Sequence, residues 1–351
     1  MMKIIRLVAL SLALGILLTA CSENSGGGTT AAVADKADNS SSGAADHGNI
    51  QKPSSPLRYS LGTGSSGGNF YLIGGGATTI LNNKLPDYFV ITAEETGGST
   101  ANLTMIQNGE AEIGIAMTST LDPSITGEPL DKVRGMVPLY PSYMTMYSLK
   151  SANINTLTDL NGRIIGLGSK GAAMDSVLRQ AFDEMGIKPS SIYNDGFGAT
   201  ASAVGDGQLD AAVMFSYPPF SSITELEATQ DLGFIGLTEE EQKQLTDMFP
   251  FYSPDVLPAG SYKGITEDLP VVTEWNMLVG STDVSQEYGY LLTKTLFESN
   301  PELVEIHKSL THAVPEYCKY FNIPLHAGTV QYLKEIGSDI PAELIPEEYV
   351  E

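Results

Sequence analysis

Cysteine is almost missing from this 351-residue chain: only Cys21 and Cys318 occur. If Cys21 is consumed by the processing described below, no intramolecular disulfide can form, and stability has to come from core packing. Cys318, in the Tyr-rich stretch AVPEYCKYF, is expected to be a small buried hydrophobe. Histidine is scarce as well. His47 falls in a low-complexity segment, and His307, His312 and His326 lack Cys or carboxylate partners at metal-ligand spacing, so no metal is expected. There is no G-x-S-x-G nucleophile elbow. The adjacent pair Glu94-Glu95 would point to opposite faces of a strand. Nothing here calls for catalysis or a cofactor, and the chain is expected not to be an enzyme. Basic charge is short: 19 Lys and Arg stand against 42 Asp and Glu. Such a surface repels nucleic acid and anionic lipid, which removes both as charge-driven partners.

Long apolar runs are absent except at the start. In MMKIIRLVALSLALGILLTACSENS, Lys3 and Arg6 form a positive n-region and Leu7 to Leu18 a short apolar core. A spanning helix needs roughly 20 apolar residues, so 1–20 reads as a cleaved export signal. Leu18-Thr19-Ala20-Cys21 is a lipoprotein processing signature, which makes Cys21 the expected lipid-attachment residue. Loss of Lys3 and Arg6 leaves 17 basic and 42 acidic residues, a formal balance of −25. The remainder is expected to work outside the cytoplasm, lipid-anchored in the periplasm or on the outer face of the plasma membrane. Residues 21–56 are Ser, Gly, Ala, Asp and Asn with few large apolar side chains. They bury too little surface to offset ordering entropy and read as a flexible tether.

From Leu57 onward the chain makes two passes through one pattern. LRYSLGTG, a glycine turn and NFYLIGGGATTILNNKL read as strand, turn and helix; YFVITAEET, TANLTMIQNG and AEIGIAM continue as strand, helix, strand. NGRIIGLGSKGAAMDSVLRQAFDEMG repeats strand, turn and helix, and SIYNDGFG, ATASAVGDG and LDAAVMFSY close the second pass. NGEAEIGIA and DGQLDAAVM echo each other, each a helix-ending glycine, a carboxylate and a small aliphatic strand. Between the passes, MVPLYPSYMTMYSLK suits a strand crossing between lobes. The fold expected is α/β, two lobes each with an open βα sheet, joined by a hinge that the chain crosses twice. The boundaries are 57–145 with 241–351 for lobe 1, and 146–240 for lobe 2.

Gly62-x-Gly64-x-x-Gly67 and Gly166-x-Gly168-x-x-Gly171 place bare backbone N–H groups at helix N-termini, where the dipole favours negative charge. Three readings are open: a dinucleotide turn, a generic tight βα turn, or a site for a small polar or anionic ligand. The first asks for an acidic residue about 20 positions on, whereas Glu94 and Glu95 lie farther along, and the Walker Lys-Ser/Thr pair is absent. Hydroxyls gather at these loop ends: Thr63, Ser65 and Ser66; Gly98-Ser99; Thr118 and Ser119. In the second pass Ser169 and Lys170 open a helix, and Tyr217 follows a strand. Each alone is a cap or turn residue. Together they face the carboxyl ends of strands, where open α/β sheets bind ligands.

LGTGSSGGNFYLIGG, AEETGGSTANLTMIQNGEAEIGIA, PLYPSYM, DGQLDAAVM, FPFYSPDVLPAGSYKG and IPLHAGTVQYLKEIG follow one another along the chain. This order resembles the TAXI-type solute receptors of tripartite ATP-independent periplasmic (TRAP) transporters, over residues 57–337. The resemblance implies a periplasmic-binding-protein-like (type II) Venus flytrap. It would close on a glutamate-like or other dicarboxylate solute and deliver it to the TRAP permease membrane subunits. Where the family commonly has G-x-P-G-S-G-T, this chain has Gly168-Ser-Lys-Gly-Ala-Ala-Met174. Hydroxyls are replaced there and Lys170 adds a positive charge, which would suit a carboxylate. The expected ligand-binding set is Thr63, Ser65, Ser66, Asn69, Gly98, Ser99, Thr118 and Ser119 from lobe 1 and Ser169, Lys170 and Tyr217 from lobe 2. Phe70 or Tyr71 would cover apolar parts of the solute. The receptor is expected to be monomeric. A lipoprotein sensor using the same flytrap to report to a membrane signalling protein is the alternative, and a neighbouring permease or kinase gene would separate the two.

Overall fold

A computed structural model describes residues 50–66, 68–127, 129–170 and 172–351. The expected export signal, Cys21 and most of the expected tether lie outside the described residues. Among the described residues no helix is long and apolar enough to cross a membrane.

The elements in chain order are β1 (Leu57–Gly62), α1 (Asn69–Lys84), β2 (Phe89–Glu94), α2 (Ser99–Asn108), β3 (Ile113–Met117), α3 (Pro123–Thr126) and β4 (Val133–Leu149). They continue with β5 (Ile164–Gly166), α4 (Ala173–Glu184), β6 (Ser191–Tyr193), α5 (Phe197–Gly205), β7 (Ala211–Ser216), α6 (Ser221–Glu227) and β8 (Leu232–Ile235). The chain ends with α7 (Glu239–Met248), β9 (Tyr252–Leu257), β10 (Leu269–Ser281), α8 (Gln286–Glu298), α9 (Asn300–Ile306) and α10 (Ala327–Glu335).

Strands run β2-β1-β3-β10-β4-β7-β5-β6, with β8 added on β4 and β9 on β10. Each end of this path is a parallel trio, β2-β1-β3 or β6-β5-β7. Each trio is closed by one antiparallel strand, β10 against β3 and β4 against β7. The two closing strands also pair with each other, so they tie the halves together. The parallel strands are short and almost wholly apolar where covered on both faces; β3 and β7 are buried nearly throughout.

Two hydrophobic cores divide the molecule into two lobes. β4 leaves the first core at Tyr140 and enters the second at Tyr143; β10 leaves the second at Val272 and joins the first at Trp275. The hinge is therefore Pro141–Ser142 opposite Thr273–Glu274. Proline has no N–H for a ladder and is tolerated in a strand interior mainly at bulges. Pro138 sits in such a place, since the β4–β10 register shifts between Asn276 and Met277 and again between Leu278 and Val279, and Pro141, opposite Trp275, lies one pair before the first shift. The PLYPSY run thus encodes an extended strand that bends where the lobes meet.

Two expected boundaries shift. Residues 241–272, expected in lobe 1, belong instead to lobe 2: Leu245, Phe249, Tyr252, Leu257 and Val272 pack in the second core. The β9–β10 hairpin pairs first and crosses afterwards, so the return to lobe 1 falls within β10. The last stretch of the expected tether is also held. Ile50 packs against the first core, its carbonyl accepts from Tyr88 Oη at 3.3 Å, and Lys52 pairs with Asp87 at 2.6 Å. Cys318 is buried as expected, and burial pushes its thiol well above the usual range.

Candidate functional site

A cavity of about 300 Å³ lies where the lobes face each other. Gly64, Ser65, Asn69 and Phe70 reach it from the first glycine turn and the start of α1, while Tyr140, Ser142 and Asn276 form its floor on the hinge strands. Lobe 2 supplies Phe197 at the start of α5, Phe215 and Ser216 at the end of β7, and Tyr217 and Phe220 between β7 and α6. Alternation along the strands explains the floor: residues 140 and 142 share one face of β4, and Asn276 sits opposite Tyr140. Asn276 is locked there, its amide donating to the Tyr140 carbonyl at 3.0 Å and to Ser142 Oγ at 2.8 Å.

The polar groups that face this cavity are few and neutral. Gly68, before α1, cannot cap its helix with a side chain, so the first N–H groups of α1 are left for another partner, whereas at the start of α5 the Asp195 carboxylate is already present and accepts from the Gly196 N–H at 2.7 Å. Ser216 is buried and its hydroxyl makes no hydrogen bond of ordinary geometry, although the Tyr262 phenol lies close enough to feel it. Burial raises the Tyr140 phenol far above its usual value and raises that of Tyr217, so both stay protonated. Both can donate a hydrogen bond at neutral pH.

Tyr217 occupies a special position. Among the described residues it is the partly buried side chain that packs against both cores. Its ring meets Tyr140 at 6.2 Å, Tyr143 at 6.3 Å, His307 at 6.1 Å and His312 at 6.0 Å. A lobe 2 residue therefore seats on lobe 1 and the hinge while lining the cavity. Trp275, the only tryptophan of the chain, stacks on Tyr320 at 4.7 Å in the same aromatic layer.

Of the residues singled out in the sequence, Ser65, Asn69, Phe70 and Tyr217 meet at the cavity. The others are placed elsewhere, each for a physical reason. Thr63 is fully buried and its hydroxyl donates to the Glu94 carbonyl at 2.6 Å, which fixes the end of β1 to β2. Ser66 is exposed, its N–H taken by Glu95 Oε1 at 3.0 Å. Tyr71 turns outward to a separate groove that it shares with Leu72 and Ile306. Gly98 holds a positive φ of 94° at the start of α2, and Ser99 Oγ accepts from the Met117 N–H at 3.1 Å. Thr118 and Ser119 are buried fasteners of the hinge: Thr118 Oγ accepts from the Trp275 N–H at 3.3 Å, and the Ser119 N–H donates to Glu274 at 2.8 Å.

Ser169 and Lys170 are exposed and line none of the cavity. A side chain on Gly168 would collide with Met174 and Phe197, because the Phe197 ring, itself part of the cavity wall, is packed onto this turn. The second glycine turn is screened from the cleft by an aromatic that its own lobe supplies. The sequence reading missed Phe197, Phe215 and Phe220, since single Phe residues in apolar segments look like core. The Tyr140 and Ser142 floor had a visible signal in the alternation of PLYPSYM.

The hinge also buries an acid. Glu274 is almost fully enclosed, and desolvation raises its carboxyl to about 7, opposed by its hydrogen bonds with Ser119. Among the described residues no group of His, Cys, Asp and Glu is arranged to hold a metal ion.

A sequence profile of the NMT1-like family matches residues 61–337. The chain belongs to the NMT1-like family. The crystal structure of a TctC solute binding protein from Polaromonas, solved without ligand, superposes with a TM-score of 0.51 at 12% identity, covering 82% of this chain and 99% of that one. This NMT1-like protein is thus similar in fold to a solute-binding protein. It is also similar to the probable amino-acid ABC transporter extracellular-binding protein ytmK from Bacillus subtilis, with a TM-score of 0.45, 15% identity, and coverage of 75% and 100%. The fold is the α/β type II periplasmic-binding-protein-like architecture expected from the sequence.

Proposed function

We propose that this NMT1-like chain is an extracytoplasmic solute receptor of the TAXI type. It would be anchored through a lipid on Cys21, bind a small carboxylate between its lobes and deliver it to the membrane subunits of a TRAP transporter. The observation that carries the reading is the cavity between the lobes, walled by the first glycine turn on one side and by Phe197 and Tyr217 on the other. A carboxylate set at the uncapped start of α1 would meet backbone N–H groups and the positive end of a 16-residue helix. Ser65 and Asn69 flank that point, and the phenols of Tyr140 and Tyr217 are protonated donors within the same cavity.

Delivery requires that the receptor have two states. Lobe closure is favoured by a ligand only to the extent that the closed state makes contacts the open state lacks. Tyr217 would supply such contacts to a solute held on lobe 1, because it lines the cavity from lobe 2. The excess of acidic residues opposes an anion at long range, yet screening over ~8 Å at physiological ionic strength leaves the local N–H groups to decide. Titration of the exported chain with candidate carboxylates, read by Trp275 fluorescence and by calorimetry, tests the reading. Saturable one-to-one binding with a rise in melting temperature is expected. Absence of binding to any small carboxylate, together with no co-purified small molecule in native mass spectrometry, would overturn it.

A further inference from the structure

The chemistry of the cavity wall narrows the ligand, and we infer that the solute has a flat apolar body carrying a single carboxylate, rather than two charged ends. This rests on the receptor reading above. Phe70, Tyr140, Phe197, Phe215, Tyr217 and Phe220 supply the walls, and the lining contains no Asp, Glu, Lys, Arg or His. A dipolar amino acid would leave its ammonium without a carboxylate, and a dicarboxylate would leave one end without a cation. Either leaves a charge removed from water and unpaired, which is costly. Glu274, the buried acid of the hinge, is bonded to the Ser119 N–H and does not line the cavity.

The aromatic walls are arranged for a ring. Phe197 and Phe220 meet edge to face at 5.8 Å and 89°, and Tyr140 and Tyr217 do so at 6.2 Å and 89°. A flat π-system inserted among them would meet a face on one side and an edge on another, the arrangements that aromatic pairs favour. The α1 N-terminus can neutralise one carboxylate. Ser216, buried at the cavity and lacking a well-formed hydrogen bond, offers one neutral donor or acceptor more. A volume of about 300 Å³ admits a single six-membered ring with a short acid tail.

Calorimetry on the exported chain with phenylacetate and 3-phenylpropanoate, set against L-glutamate and succinate, tests the inference. The aryl monocarboxylates are expected to bind at least about thirtyfold more tightly, the scale of a charge left unpaired in the weaker pair. Phe197→Leu, at a half-buried position, should weaken them about tenfold with the melting temperature nearly unchanged, the scale of one lost ring contact. Tighter binding of glutamate or succinate, or a co-purified solute with two charged ends, overturns the inference and leaves the receptor reading standing. If none of the four binds and native mass spectrometry finds no bound molecule, both fall.

Discussion

The two lobes repeat one plan and fasten it by different chemistry. In lobe 1 the first glycine turn is pinned by Asn102, fully buried, whose amide donates to the carbonyls of Thr63 and Ile115 at 2.7 Å each and accepts from Thr96 Oγ at 2.6 Å. Gly62 is bare because that amide occupies the space a side chain would need. In lobe 2 the same task falls to Asn194, half-buried, which donates to the Gly168 carbonyl at 2.9 Å and joins Asp175 and Arg179. A neutral, dry pin holds the turn that faces the cavity; a partly wet, charged cluster holds the turn that does not. The difference teaches that an internal repeat conserves a scaffold without conserving its use. The lobe with the solid pin presents a glycine turn, a helix start and polar side chains beside Phe70 and Tyr140, and the other presents mainly aromatic side chains.

The contrast can be broken most sharply at its pins. Asn102→Ala strands two buried carbonyls and should destabilise the protein by about 3–4 kcal/mol, seen as a fall in the denaturation midpoint. The hinge ranks next. Glu274 holds its proton to about 7 when folded, against 4.5 in an open chain. Between those values the folded state binds a proton that the unfolded state has released, so stability is full below about 4.5 and is lost as pH rises through 7. At 1.36 kcal/mol per unit this amounts to about 3 kcal/mol. Glu274→Gln should flatten urea-melt stability across that window, and an unchanged slope would show that the acid is solvated.

Tyr217→Ala removes the ring that spans the lobes and should weaken solute binding about tenfold, with a smaller effect on melting, since it is only half buried. Asn194→Ala, in its wetter cluster, should cost about 1 kcal/mol, well under its lobe 1 counterpart. Parity between the two asparagines would erase the distinction between the lobes. Smallest of all is Lys170→Ala: with the side chain exposed and outside the cavity, solute affinity should stay within about twofold, the range of a screened surface charge. A large loss in calorimetry would bring the second glycine turn back into the site.

Much of the fold was legible because it is written in short-range signals. Glycine turns, helix-ending glycines and small aliphatic strands announced both βα passes, and the PLYPSYM run announced a crossing strand. The late return to lobe 1 was not legible, because the β9–β10 hairpin pairs locally before it crosses and nothing in its composition says which core receives it. The site was legible only in half. Ser65, Asn69 and Phe70 follow directly from a turn into a helix, a local motif. Thr63, Ser99, Thr118 and Ser119 looked identical as loop-end hydroxyls, but backbone carbonyls and amides nearby satisfy or use the first three, and Ser119 contributes its backbone N–H to Glu274 instead. Phe197 and Phe220 were invisible, since an aromatic in an apolar segment carries no mark of facing a cavity rather than a core.

The amino-acid order by itself determined the alternation of strands, turns and helices, the extended double proline strand and the uncapped start of α1, since each depends on neighbours a few residues away. Which hydroxyls are spent inside the protein, which glycine turn is covered by Phe197, and where the two lobes exchange the chain were decided only by tertiary packing. Those outcomes depend on which distant side chain reaches a given backbone group first, and sequence spacing carries no record of that.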